Sequence, residues 1–266
     1  MDPGIKSPLI DFFRRGEVAR DVRLLAAQGG MAPRAQEQVA LLILLSDDAD
    51  AEIARAADAT LAALPLESLQ AFLSRPETPN EMRQFFAARG LEVTPAYTID
   101  LSDIDFDQPL FDTLAELPEA PDAPPAGDSP EDERQMLSSL PVMERVKLAM
   151  KGTREQRAQL VRDSNKLVAA AVLSSPKLNE SEVEQFTRMG NVSEDVLRMI
   201  GHNRAWTKNY AVVLGLCKHP KTPPAISMQL VSRLTEKDHK MLAIDRNIPE
   251  GLRLLARKMA NKGKLG

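Results

Sequence analysis

Apolar residues recur at three and four positions along most of this chain, the spacing of helices that bury one face. Between Ile5 and Gly90 the pattern is broken at Gly29-Gly30, Asp47-Asp48, Pro65 and Pro76, which predicts five or six helices. In Ser46 to Pro65, aspartates lead into a stripe of Ile53, Ala57, Leu61 and Leu64; their negative charge suits the positive end of the helix dipole. At Thr78-Pro79-Asn80-Glu81 the expected start has Thr78 as cap, Pro79 as first helical residue and Glu81 returning a capping-box bond.

Helical spacing returns at Arg134 and repeats itself. Asp163 to Pro176 aligns with Thr207 to Pro220 at an offset of 44 residues, setting Asn165 on Asn209, Val168 on Val212, Val172 on Leu216 and Pro176 on Pro220. The proline segment has a third copy upstream, since Leu73 to Phe86 aligns with Leu173 to Phe186 and Cys217 to Leu230. A second period supports the first: Thr153, Ser193 and Thr235 are each followed within two residues by an acid and after seven by Leu160, Ile200 and Leu242. Seven to nine helices are expected after residue 134. A unit near 40 residues that cannot bury its apolar face alone predicts an all-α fold, an α-solenoid of stacked helical hairpins in two blocks.

Pro76-Glu77-Thr78-Pro79 and Pro220-Lys221-Thr222-Pro223, each closing an apolar helix and opening a second, resemble leucine-rich-repeat variant, HEAT and armadillo repeats. Pro176-Lys177-Leu178-Asn179 departs from that pattern at Asn179, so the middle unit is expected to start its helix differently. The resemblance implies a concave binding face and says little about activity.

Composition separates the two blocks. Residues 91–133 hold 13 Asp and Glu, no Lys or Arg, and many of the prolines, which reads as an acidic linker between residues 1–90 and 134–266. Within it, residues 96–117 interleave Ile99, Leu101, Ile104, Phe106, Leu110, Phe111 and Leu114 with acids. That pattern fits either a docking segment or a covering strand or short helix packed on the N-terminal repeats. Charge is divided as sharply: the whole chain is −4, whereas residues 134–266 carry 24 Lys and Arg against 12 Asp and Glu, a net +12.

Chemistry is sparse. Three histidines (His202, His219, His239) show no metal-ligand spacing, and HExxH, CxxC and glycine-rich phosphate loops are missing, so no metal, cofactor or catalytic residue is assigned and no enzyme is expected. The single cysteine, Cys217, lies in the apolar run YAVVLGLCK and is expected to be a core thiol. No leader or 18-residue apolar run is present, which implies a cytoplasmic protein without a membrane partner.

The densest polar and aromatic cluster is Gly201 to Tyr210, with the only tryptophan. His202 and Trp206 would share one helical face and Arg204 and Lys208 a neighbouring one, if a helix covered all four. The candidate partner-binding residues are Arg162, Lys166, His202, Arg204, Trp206, Lys208, Tyr210, Lys218, Lys221 and Arg246. The alternative for the cluster is structural, because the asparagines recur at the repeat offset as helix-junction residues do. Function is expected to be a non-enzymatic protein interaction module or scaffold that receives an acidic or extended segment in the C-terminal groove. Binding of nucleic-acid phosphates on the same basic face, with Trp206 or Tyr210 stacked on a base, is the second expectation.

Overall fold

The computed structural model describes residues 3–5, 7–31, 33–91, 107–111 and 136–262. The described residues are 67% helical, and there is no strand among them. No helix among them is long and apolar enough to cross a membrane.

Among the described residues, six helices fall in the first 90 positions: Pro8–Arg14, Arg20–Ala27, Ala35–Leu45, Ala51–Ala63, Leu66–Ser74 and Asn80–Ala87. Ala35–Leu45 is the hub, packed against Pro8–Arg14, Arg20–Ala27 and Ala51–Ala63. Its AQEQVALLILL sequence is apolar nearly all round because neighbours cover it on several sides, and Val39 to Ile43 are at most 1% exposed. Ala51–Ala63 begins where the aspartates predicted. The Asp50 side chain accepts the Glu52 N–H at 2.9 Å, and Ile53, Ala57, Leu61 and Leu64 are buried.

After residue 140 the described residues form nine α-helices: Val142–Lys151, Arg154–Leu160, Lys166–Ser174, Glu180–Arg188, Glu194–His202, Tyr210–Lys218, Pro224–Leu230, Glu236–Ile244 and Glu250–Lys262. The copies agree in the bounds of their first helix and in the start of their second. Leu66–Ser74, Lys166–Ser174 and Tyr210–Lys218 are each 9 residues long, stand 100 and 44 residues apart, and lead through five residues into Asn80–Ala87, Glu180–Arg188 and Pro224–Leu230. Asn165 and Asn209 each accept the N–H two residues on, Leu167 and Ala211, both at 2.9 Å. These recurring asparagines are caps. Val168, Val172, Val212 and Leu216 are fully buried, as are Ile200 and Leu242, with Leu160 at 2%.

Thr78 departs from expectation. Pro79 stands at the cap of Asn80–Ala87 with no side-chain cap bond, and the Thr78 hydroxyl instead donates to the Phe72 carbonyl at 2.6 Å. Thr222 likewise precedes a Pro223 cap. A full capping box appears in the middle copy, where Asn179 accepts from the Glu182 N–H at 3.0 Å and the Glu182 carboxylate accepts from the Asn179 N–H at 3.3 Å. Proline supplies the starting backbone in the outer copies; the middle one, lacking it, uses side chains.

The chain divides into two compact units. One comprises residues 1–160 with 170–177, the other 161–169 with 178–266. Val142–Lys151 packs on Arg20–Ala27, and the Ser174 hydroxyl donates to Glu37 at 3.1 Å, so helices from beyond the acidic stretch complete the N-terminal unit. Of the acidic stretch itself, only Leu91 and residues 107–111 are described, and the remainder of residues 96–117, expected as a docking segment or as a covering strand or short helix, lies outside the described residues.

Candidate functional site

Within the C-terminal unit, Glu180–Arg188 and Tyr210–Lys218 pack closely enough that a Cβ on Gly215 would lie 2.8 Å from Thr187 Cβ and closer still to its Oγ1. Only glycine fits there. Beside this contact the helices open into a cleft of about 400 Å³ lined by Ala211, Leu214 and Gly215, by the exposed Arg188 and Lys218, and by the buried His219.

The two cations differ in freedom. Arg188 is paired with Glu184 one turn back, whereas Lys218 has no carboxylate at ion-pair distance among the described residues. His219 is fixed at both ring nitrogens: Nε2 faces the Met189 carbonyl at 3.0 Å, and Nδ1 accepts the Lys221 N–H at 3.1 Å. These bonds require the neutral ring with its proton on Nε2. The preceding repeat places Ser175 here, its hydroxyl donating to Met150 O at 2.7 Å and accepting the Lys177 N–H at 3.3 Å. His219 is therefore a junction residue, tying one repeat to the carbonyls of the last, rather than a free base.

The Gly201 to Tyr210 cluster is arranged otherwise than expected. The helix ends at His202, Asn203 accepts the Ala205 N–H at 2.9 Å, and a 3-10 turn runs over Trp206–Lys208. His202 and Trp206 do not share a helical face, nor do Arg204 and Lys208. Trp206 is buried at 8% exposure, so its indole packs in the core and offers no stacking platform. His202 is exposed with Nδ1 2.7 Å from the Arg198 carbonyl. Tyr210 is 40% exposed, but its hydroxyl donates to the Asp238 carboxylate and accepts the Thr235 N–H at 3.1 Å. That bond from Tyr210 holds the Asp238 carboxyl below the usual aspartate range.

The remaining candidates divide by partner. Lys166 pairs with Asp195 at 2.7 Å, and Arg162 is partly buried. Arg204, Lys208, Lys221 and Arg246 are exposed and, like Lys218, have no carboxylate at ion-pair distance among the described residues. Cys217 is wholly buried, and burial pushes its thiol up to about 12. Arg188 and Gly215 escape sequence reasoning as cleft residues; the glycine interrupting YAVVLGLCK is the visible signal. No family model, characterised protein or solved structure matches the chain.

Proposed function

We propose that this chain is a non-enzymatic interaction module that takes an acidic or extended segment of a partner protein into the cleft between Glu180–Arg188 and Tyr210–Lys218. The observation that carries this reading is a cleft lined by apolar Ala211 and Leu214 and by Lys218, an exposed cation with Asp238 nearby but no described carboxylate within ion-pair distance. Such a lining can bury leucine-like side chains while the cation attracts acids, which is how extended segments are gripped on helical repeats. The hairpin repeat, with its resemblance to leucine-rich-repeat variant, HEAT and armadillo units, supports a scaffold role. Anisotropy titrations of the full chain with a labelled Glu/Leu-rich peptide test it. Lys218→Glu with Lys221→Glu should weaken binding roughly tenfold, about 1.4 kcal/mol; unchanged affinity would sink the reading.

Exposed Arg204, Lys208, Lys221 and Arg246 keep nucleic acid as a second reading, since phosphates need no more than cations. The buried indole of Trp206 counts against base stacking. Random-sequence RNA and DNA in the same titration separate the two: affinity above that for the peptide, falling steeply with salt, would favour phosphate binding.

A further inference from the structure

Gln38 is the one uncharged polar residue of its helix to be buried, 1% exposed in a run of Val, Ala, Leu and Ile, and its partner is not a helix. Its amide nitrogen donates to the Phe111 carbonyl, and its Oε1 accepts the Phe111 N–H at 3.1 Å. A side-chain amide thus holds both backbone groups of one residue, Phe111, which follows a turn and bends over Asp107 to Leu110. The Gln108 carbonyl accepts the Ala35 N–H at 3.0 Å, one of the donors a helix start leaves without an internal partner. Side-chain selection is built in as well. A Cβ on Gly29, at φ +74°, would stand 3.0 Å from the Phe111 ring, and Arg34 Nε lies 3.8 Å from Asp107.

The site is buried, but its occupant is within reach of solvent. Asp107 and Gln108 are exposed, and Pro109, Leu110 and Phe111, though mostly covered, each keep part of their surface open. Releasing the segment takes both bonds from the Gln38 amide, and a second segment that presents a backbone N–H and C=O at the same place restores them. We propose that Asp107–Phe111 is a tethered occupant of a peptide site on the N-terminal helices, and that the site takes in trans an acidic, phenylalanine-bearing segment of a partner protein. Gln38 holds the backbone, Gly29 admits the aromatic ring, and Arg34 favours an acid before the proline. Because a tether gives an effective concentration of roughly millimolar, the chain's own segment suppresses external binding until it is displaced.

The test titrates a fluorescein-labelled peptide of residues 103–115 into full-length wild-type chain and Phe111→Ala. Emptying the site should tighten peptide binding at least tenfold, and adding Gln38→Ala should abolish the gain. Equal affinity for the two chains, no binding to a folded Phe111→Ala chain, or full retention without Gln38 would each overturn the proposal. Should Phe111→Ala lose its helical far-ultraviolet signal, hydrogen exchange on the wild-type chain decides. A Phe111 amide exchanging at least a hundredfold faster than those of residues 39–45 sustains a detachable occupant; equal protection makes the segment a fixed part of the core and ends the idea.

Discussion

Glu37 places a carboxyl group where water does not reach it. The residue is partly exposed through its stem, yet Oε2 is buried without a hydrogen-bond partner, while Oε1 receives the hydroxyls of Ser7 and Ser174. Burial raises its titration above the ordinary glutamate value of 4.5, opposed by Ser7, Arg34 and Ser174, which favour the charge. The folded chain therefore holds a proton that the unfolded chain has released once pH passes 4.5. Stability from this group is complete below that pH and is lost as pH rises through the folded value. Glu37→Gln keeps the acceptor for both serines and removes the charge. Its melting temperature should match wild type near pH 4 and exceed it increasingly at higher pH. The gain levels off above the folded titration, at about 1.4 kcal/mol for every pH unit by which that titration lies above the unfolded one. A constant difference across pH 4 to 8 would show that the carboxyl is hydrated in solution. Gln38, the next residue, shows how far sequence reaches at this scale: a polar side chain in an apolar run is visible, but its partner 73 residues away is not.

At the scale of single helices, most of the architecture is legible because caps and apolar periodicity are local. Ser193 and Thr235 receive the N–H groups of Val196 and Asp238, as their positions before an acid-led helix predict. Thr78 breaks the rule because a hydroxyl beside proline has two outlets, and the carbonyl behind it, at Phe72, is nearer than the helix ahead. Trp206 breaks it for a different reason: exposure of an aromatic in a polar run depends on the neighbouring repeat, which no local pattern contains. Helix contact at glycine is equally non-local. Gly215→Ala would force its Cβ against Thr187, whose Cβ cannot swing away, so Glu180–Arg188 must shift. The expected cost is about 1–3 kcal/mol, with a changed affinity for any segment held in the adjacent cleft. Gly251→Ala, in Glu250–Lys262 with nothing within 4 Å of the new methyl, provides the contrast. There the better helix propensity of alanine should leave stability equal or up to about 1 kcal/mol higher. Equal effects at the two sites would show that the helices do not approach closely at Gly215.

For the molecule as a whole, composition and packing mark different boundaries. The acidic, proline-rich residues 91–133 suggest a seam between independent blocks, and the change in charge on passing residue 134 strengthens that reading. Burial follows another logic, since an amphipathic helix packs wherever an apolar face remains uncovered. Val142–Lys151 has such a face in Val146, Ala149 and Met150, each at most 1% exposed, and it lies in one compact unit with the first 91 residues. Residues 170–177 belong to that unit too, anchored by Ser174 on Glu37 and Ser175 on Met150. Cleavage by a protease between Pro118 and Glu133, the stretch where composition offers no core residue, therefore should not release two free domains. The nicked chain should elute from a sizing column as one species of full mass and come apart only in denaturant, because parting the fragments would expose Val146, Ala149 and Met150 together with the surface they cover. Two separate peaks under native conditions, each retaining its helical signal, would show that the N-terminal helices stand without those from beyond the linker.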